Sequence, residues 1–460
     1  MLNHVPKKKL LLAFGDAFLI LASYFLSPVL RFGVVVFTPL DDIAEWLTVL
    51  VIYLFVFYVV DLYDMDSRIS HARRLFRVVV GVLAANAVCV VVFFFAGVLS
   101  WGRGLLVITA FFTAFLTYTW RLVFNSLLGS FLEQQKRLVI VGAGRSGMAL
   151  YEMVKKDPTY RVVGFVDDDI RKHGLIVNSP RVLGECRLLG EIVAKNQADE
   201  IAVAIRHLKT QTAGDLMKSI LDCKLQGVNV HSMPSLYEGV AGKIPVRHTS
   251  DTWFINETIS GVRRSVYNRK IKRLLDVFFS FVGLLCSIPL ILPVCIAIKL
   301  DSPGPVFYRQ RRTGVKGPVF ELIKFRSMRP DAEANGAVWA SAKDPRVTRV
   351  GAVIRKLRID EIPQIWNVLK GDMSFIGPRP ERPEFVETLQ KKIPYYALRH
   401  SVKPGITGWA QVSYPYGASE EDALEKLQYD LYYIKNLSPF LDFHILLRTV
   451  KVVLFGKGAR

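Results

Sequence analysis

The chain has 460 residues, 51% of them hydrophobic, and a mean hydropathy of +0.28. That length calls for two to four units, and that apolarity excludes a disordered protein and argues against a wholly soluble one. Sixty Lys and Arg against 40 Asp and Glu give a formal charge of +20. Such a balance suits an anionic partner: nucleic acid, an anionic membrane surface or a phosphorylated substrate, and the apolar excess favours the last two. Cys89, Cys186, Cys223, Cys286 and Cys295 are odd in number and form no CxxC pair. Neither a disulfide framework nor a zinc site is supported, and reduced thiols facing the cytosol follow.

Four apolar stretches come first. Leu10–Leu30 is interrupted only by Asp16, and its length without a small-residue cleavage site argues against a signal peptide. Trp46–Val60 is short but uncharged. Val78–Gly102 and Gly104–Trp120, separated by Arg103 alone, predict a helical hairpin. Lys7, Lys8 and Lys9 precede the first stretch. Arg68, Arg73, Arg74 and Arg77 lie between the second and third, and Arg121, Lys136 and Arg137 follow the fourth. The opposite loops carry only Arg31 and Arg103, so the basic clusters and everything after residue 125 are expected on the cytoplasmic side. Asp16 is expected near the membrane interface or at a helix contact rather than as an intramembrane functional group.

The middle of the chain reads as α/β. Arg137–Val141 predicts a buried strand, Gly142-Ala143-Gly144-Arg145-Ser146-Gly147 a glycine loop, and the next residues a helix to about Lys156. A second strand, Val162–Val166, ends at Asp167, 20 residues beyond Gly147. This is the layout of a dinucleotide-binding unit, in which Gly142, Gly144 and Gly147 let backbone approach a phosphate and Asp167 takes a ribose. Strands at Glu200–Ile205 and Val228–His231, with a helix at Thr212–Gln226, continue the pattern. Two readings stay open: a site for a nucleotide, or a Rossmann-like module that only links other parts. Tyr151 and Lys155 spell YxxxK, but their place in the first helix makes them ordinary helix residues.

Near Gly261 the composition changes. A basic run, Arg263, Arg264, Arg269, Lys270, Lys272 and Arg273, precedes an apolar helix, Leu274–Leu300, that contains Ser287, Pro289 and Pro293. A full crossing would place the basic remainder outside, against the positive-inside rule, so a re-entrant helix broken near Pro289 is expected. Residues 304–360 hold 13 Lys and Arg against five Asp and Glu, interleaved with Phe307, Tyr308, Phe320 and Phe325, which fits lipid phosphate beside a membrane-entering helix. Asp360 and Glu361 then stand adjacent amid cations, which are expected to keep Asp360 ionised as a nucleophile. The pair can also hold Mg²⁺ together with substrate phosphates. Gly377-Pro378-Arg379-Pro380 presents a guanidinium on a stiff turn, a geometry suited to phosphate. Lys403–Val412 reads as turns in which Trp409 packs, and Phe440–Phe455 as an amphipathic surface helix.

From about Lys270 onward the chain resembles the monotopic bacterial sugar transferases, the polyprenyl-phosphate phosphoglycosyl transferases. The resemblance rests on KRLLD at 272–276, DSPGPVFYRQ at 301–310, KFRSM at 324–328, D-x-R-x-T-R-x-G at 344–351, DEIPQIWNVLKGDMSFIGPRP at 360–380 and KPGITGWAQV at 403–412. The N-terminal layout resembles the large subclass that initiates exopolysaccharide and O-antigen synthesis. The implied architecture is a four-helix transmembrane bundle over 1–125, a cytoplasmic Rossmann-like domain over 135–250, and a mainly α catalytic domain over 265–460 with its re-entrant helix at about 271–300. The implied reaction moves a sugar 1-phosphate, glucose or galactose, from a UDP-sugar to undecaprenyl phosphate in the bacterial inner membrane, releasing UMP. Asp360 would be the nucleophile and, with Glu361, the Mg²⁺ ligand. Arg379, Arg355, Lys324 and Arg326 would lie at the phosphate. Ser287-Ile288-Pro289 departs from the adjacent Ser-Pro of the family's helix break, and Lys403 replaces an Arg of some relatives. The resemblance also raises a homodimer. A tethered NAD-dependent sugar-nucleotide enzyme and a nucleotide-sensing scaffold are the alternatives. The misplaced YxxxK weighs against the first and the intact Asp360, Glu361 and Arg379 against the second. A nucleic-acid partner is not expected, because the basic residues cluster beside membrane segments.

Overall fold

The computed structural model describes residues 7–33, 43–63, 71–97, 103–124, 126, 135–172, 180–205, 210–263, 265–330, 332, 344–415, 417 and 419–454. Arg68 and Arg264 of the basic runs, and the end of the third apolar stretch beyond residue 97, lie outside the described residues. The chain divides into two units, Met1–Gln135 and Lys136–Arg460.

The first unit is built from α1 (Lys7–Phe32), α2 (Ile43–Val59), α3 (His71–Phe95) and α4 (Arg103–Val123). Stretches of α1, α3 and α4 are long and apolar enough to cross a membrane, and α2 is a shorter apolar helix of 17 residues. Their outer faces carry Phe14, Phe18, Phe111 and Phe115 while Ser23, Ser27, Thr109, Thr113 and Thr117 are buried. Apolar outside and small polar inside is the packing of helices in lipid, where close approach and hydrogen bonds replace the hydrophobic drive. Gly15 permits one such approach, since a Cβ there would lie 2.3 Å from the Trp120 indole. Asp16 lies at a helix contact, the second of the two places expected of it. It is fully buried and accepts from both terminal nitrogens of Arg121 at 2.8 Å, so Arg121 is a partner inside the bundle rather than a loop cation.

The second unit opens with a parallel sheet of β1 (Lys136–Val141), β2 (Tyr160–Val166), β3 (Val182–Gly184), β4 (Glu200–Val203) and β5 (Asn229–Ser232) in the order β3-β2-β1-β4-β5. Helices α5 (Arg145–Val154), α6 (Leu189–Asn196), α7 (Thr210–Leu225) and α8 (Met233–Ala241) connect the strands or follow them. The run of Leu138–Val141 is wholly buried because both faces are covered, as in doubly wound folds. Tyr151 packs edge-on against Phe165, with Lys155 over its ring, so neither is placed for chemistry.

After α8 the chain leaves the sheet and joins the C-terminal part. Ile244 and Val246 share a core with α13 (Pro383–Lys392), α15 (Glu420–Asn436) and α16 (Pro439–Leu454). Trp409 donates to the Gly242 carbonyl at 2.7 Å and stacks on Tyr432, which is the packing role expected of it. The short α9 (Asp251–Asn256) lies on the same core through Trp253 and Phe254.

The long apolar helix α10 (Lys272–Asp301) is helical throughout, with Pro289 and Pro293 inside it. The expected interruption at Pro289 is therefore not seen as a gap in helical structure, and Ser287 Oγ bonds back to the Leu284 carbonyl at 2.9 Å. Both ends are anchored to the same domain. Arg273 donates to the Val368 and Leu369 carbonyls, and Asp276 accepts from Ser374 Oγ and Phe375 N. At the far end Asp301 accepts from Val350 N, and Val294 and Ile298 pack with Phe325 and Ile354. Between these anchors Leu274, Phe278, Phe281, Leu285, Ile288 and Leu292 are exposed, an apolar stripe that lipid would cover.

Candidate active site

The site is assembled by short elements. The antiparallel hairpin β6 (Phe307–Thr313) and β7 (Val319–Phe325) sets Lys324 opposite Tyr308. Helix α11 (Arg349–Lys356), N-capped by Thr348, carries Arg355 in its last turn. The chain then reverses at Arg358, whose φ of 59° is unusual for a residue with a Cβ, and a single 3-10 turn holds Ile359, Asp360 and Glu361. Helix α12 (Gln364–Lys370) follows, and its Asn367 bonds Ile323 N and the Glu321 carbonyl, which locks the helix to β7.

Arg379 is fixed from the other side. The parallel pair β8 (Ser374–Ile376) and β9 (Gly405–Thr407) pins the Gly-Pro-Arg-Pro turn, with Gly377 N donating to Thr407 and Gly405 N to Pro378. A Cβ on Gly377 would stand 2.3 Å from the Lys403 carbonyl, so only glycine allows this approach. The Arg379 carbonyl accepts from Arg399, which also donates to Tyr396 and to buried Asp430.

The two adjacent carboxylates are treated differently. Glu361 Oε1 receives Arg379 Nη2 at 2.7 Å, with Lys324 Nζ at 3.6 Å and Arg358 Nη1 at 3.8 Å. Although burial opposes ionisation, these three cations hold Glu361 far below the usual carboxylate range. Asp360 is 8% exposed, and among the described residues no hydrogen bond or ion pair engages its carboxylate. Burial pushes its pKa up, against the pull of Lys324, Arg379 and Arg355, with Glu361 adding to the rise. The surrounding cations expected to keep Asp360 ionised do favour the carboxylate, but burial is the larger influence and opposes ionisation. Burial likewise brings Lys324 down to about 8, opposed by Glu361.

Asp360, Glu361, Arg379, Arg355, Lys324 and Arg326 all line one cavity of about 530 Å³. Arg326 differs from the others. Its terminal nitrogens donate to the carbonyls of Ile298, Ser302 and Pro303, so its hydrogen bonds close the end of α10 rather than face a phosphate. Tyr308, one of the aromatic residues interleaved with the basic run, lines the cavity too, as do Arg312 and Gln310, which were not singled out from sequence. Arg312 is bonded to Gln310 and to the Pro380 carbonyl.

Two implied ligands can be tested against these residues. Mg²⁺ favours oxygen ligands and is commonly held by one or two carboxylates plus substrate phosphates. Asp360 and Glu361 provide that minimum, and among the described residues no cluster of three or more His, Cys, Asp or Glu offers more. The pair fits a metal that arrives with a diphosphate. The glycine loop fits a nucleotide poorly. Gly142 takes a φ of +104° and a Cβ on Gly147 would lie 1.9 Å from the Gly142 carbonyl, so the loop has its expected shape, with Gly144 at the start of α5. But Asp167 accepts from Ala143 N at 2.7 Å and from Lys172 Nζ at 3.0 Å. The acid that a ribose would need is engaged within the loop.

Residues 267–456 match the bacterial sugar transferase family, and residues 58–234 match a family described as a CoA-binding domain. The UDP-glucose:undecaprenyl-phosphate glucose-1-phosphate transferase of Xanthomonas campestris pv. campestris is 33% identical over 333 residues, 70% of this chain and 68% of that protein. The chain belongs to the bacterial sugar transferase family. The enzyme with the same description in Escherichia coli K12 is 34% identical over 70% of this chain and 69% of its own length. The UDP-N-acetylgalactosamine-undecaprenyl-phosphate N-acetylgalactosaminephosphotransferase of Aeromonas hydrophila is 43% identical over 248 residues, and this chain covers only 57% of its length. Within the family's catalytic segment, the cavity of this sugar transferase is formed by residues scattered from Pro305 to Asp430.

Proposed function

We propose that this sugar transferase moves a hexose 1-phosphate from a UDP-sugar to undecaprenyl phosphate, releasing UMP and starting a polysaccharide repeat unit. The observation that carries the reading is the contrast at residues 360 and 361. Asp360 is a buried carboxylate without a partner among the described residues, beside a Glu361 that meets three cations, in a cavity lined by basic side chains. Asp360 attacks the sugar-bearing phosphorus. The bond to the bridging oxygen breaks, UMP leaves with the electron pair, and the phosphosugar remains on Asp360. An oxygen of undecaprenyl phosphate then attacks the same phosphorus, Asp360 is released as carboxylate, and a lipid diphosphosugar forms. Arg379, Lys324 and Arg355 balance charge on the transferring group, with Arg379 and Lys324 held in position by Glu361. Mg²⁺ bound by Asp360 and Glu361 with the donor diphosphate would supply further charge neutralisation.

The acceptor is a lipid, and the placement of α10 supports access to it. Both helix ends are anchored to one domain while the middle exposes apolar side chains, which favours a re-entrant helix over a crossing one. The second unit then lies on the cytoplasmic face of the inner membrane, a placement the basic clusters of the first unit also favour. Glucose 1-phosphate is the first candidate cargo and N-acetylgalactosamine 1-phosphate the second.

The test is UMP release by the purified protein with undecaprenyl phosphate and Mg²⁺, comparing UDP-glucose, UDP-galactose and UDP-N-acetylgalactosamine. Release with one or two donors, lost in Asp360→Asn, is expected. Without acceptor, the wild-type chain should gain the mass of one phosphohexose on Asp360. No UMP from any donor would overturn the reading.

A further inference from the structure

The turn that carries Arg379 is held at each of its four residues. Gly377 N donates to the Thr407 carbonyl and the Pro378 carbonyl accepts from Gly405 N, which closes the turn on the side of β8 and β9. The next two carbonyls lie beyond that strand pair, and each is met by an arginine. Arg312 Nη1 donates to Pro380 at 2.9 Å, and Arg399 Nη2 to Arg379 at 3.0 Å. Arg399 stands in the 3-10 turn Tyr396–Ser401 and is buried. Its Nη1 donates to the Tyr396 hydroxyl at 2.6 Å, and its Nη2 also donates to Asp430 Oδ2 at 2.8 Å. Both hydrogens of Nη2 are therefore used, one on a carboxylate and one on the main chain of the active-site arginine. Asp430 is buried on α15, a helix of 17 residues beside which α14 (Trp409–Ser413) packs.

A buried ion pair is weak evidence for stability, since apolar side chains of the same volume often serve a fold as well. What marks Arg399 is its third contact. The Arg379 side chain leaves the turn for Glu361, where its Nη2 lies 2.7 Å from Oε1. Four side-chain torsions separate that guanidinium from its main chain, so a shift of the turn carries through to the group that meets the phosphate. A charge-assisted bond to the Arg379 carbonyl removes that freedom at its origin. We propose that Arg399, oriented by Asp430 and Tyr396, is a positioning residue for the transfer: it holds the Arg379 main chain where the guanidinium reaches Glu361 and the transferring phosphate together. It acts through Arg379 and not on the substrate. The proposal rests on the UDP-sugar reading above.

The experiment is a double-mutant cycle on UMP release, with thermal melting to show which variants fold. Arg399→Lys keeps a charge for Asp430 but loses the fork that serves three partners, and should lower kcat by about 10-fold. Arg379 keeps its own charge in this variant, and Lys324 and Arg355 still line the cavity, so KM for the UDP-sugar should stay within about 2-fold of wild type. A general distortion of the cavity would raise KM as well. A positioning residue has nothing left to position once its target is altered. In an Arg379→Lys background, Arg399→Lys should therefore cost less than about 2-fold more, where independent lesions would multiply to about 10-fold. Tyr396→Phe leaves the ion pair intact, removes one bond that orients Arg399, and should show the same pattern at about 3-fold. Full multiplication of the two losses overturns the proposal, as does a KM that rises as far as kcat falls. So does unchanged kcat in Arg399→Lys, or in Tyr396→Phe where Arg399→Lys does not fold. Loss of the fold in both variants overturns it too, because the contacts then serve the fold and not Arg379. Absence of UMP release by wild type from any UDP-sugar would instead remove the underlying function, and the proposal with it.

Discussion

The second unit offers two places where its sequence promises to hold a phosphate, and they are built in opposite ways. At the glycine loop the side chains are engaged: Asp167 accepts from the Ala143 N–H and from Lys172, and Ser146 bonds His248, while no side chain caps the start of α5 at Gly144. At the transferase cavity the protein satisfies Glu361 with three cations but leaves Asp360 without a partner among the described residues. Both places match a motif. Only the second leaves a carboxylate, Asp360, without a partner among the described residues, and that is the group a transferring phosphate can meet.

The largest effects should come from substitutions that test the Asp360 and Glu361 contrast. Asp360→Asn is expected to lower UMP release by about 10³-fold or more, because the nucleophile is gone. Its thermal midpoint should not fall, because burial already disfavours the ionised carboxylate. Glu361→Gln should do the reverse in stability. Removing the charge that Arg379, Lys324 and Arg358 surround leaves three cations facing one another, a loss of about 3 kcal/mol. Thermal melting of the two variants side by side checks the pair, and equal loss in both would erase the distinction between them.

Arg379→Lys should cost about 10²-fold in kcat/KM, since a lysine keeps the charge but not the fork that reaches Glu361 and a phosphate together. A smaller effect is expected in acid. His400 is largely buried beside Arg399, and burial, then that guanidinium, bring its pKa down from 6.5 to about 4. A group whose folded pKa is depressed in this way stabilises the fold while neutral. Its contribution is present above pH 6.5 and is lost as pH falls towards 4. The loss should be on the order of 2 kcal/mol, read as a drop in melting temperature between pH 7 and pH 5 that His400→Gln flattens.

Sequence reading recovered what periodicity and contiguous motifs encode. The glycine loop between β1 and β2, the apolar N-terminal helices, Asp360, Glu361 and Arg379 were all legible, because the residues that define each are neighbours in the chain. Pairings across long separations were not. The β8 and β9 pair joins Ser374 to Gly405 through strands of three residues, too short to show alternation, and β3 is equally short. Asp16 found its partner 105 residues away on α4. The resemblance placed Arg326 at the phosphate through the KFRSM motif, and only the fold shows its terminal nitrogens closing a helix end.

The smallest effect is the one that decides whether the glycine loop belongs to the transferase at all. Asp167→Asn keeps an acceptor for the Ala143 N–H but loses the charge that Lys172 meets, an exchange worth about 1 kcal/mol. UMP release should stay within about 2-fold of wild type, because no transferring group touches the loop. The result has force only beside Asp360→Asn, since both replace a carboxylate by an amide in the same folded unit. A fall of 10-fold or more in a well-folded Asp167→Asn chain would mean that the loop holds a ligand on which transfer depends. Internal satisfaction would then describe a resting arrangement that a nucleotide displaces, with Lys172 freed from Asp167 to meet its phosphate.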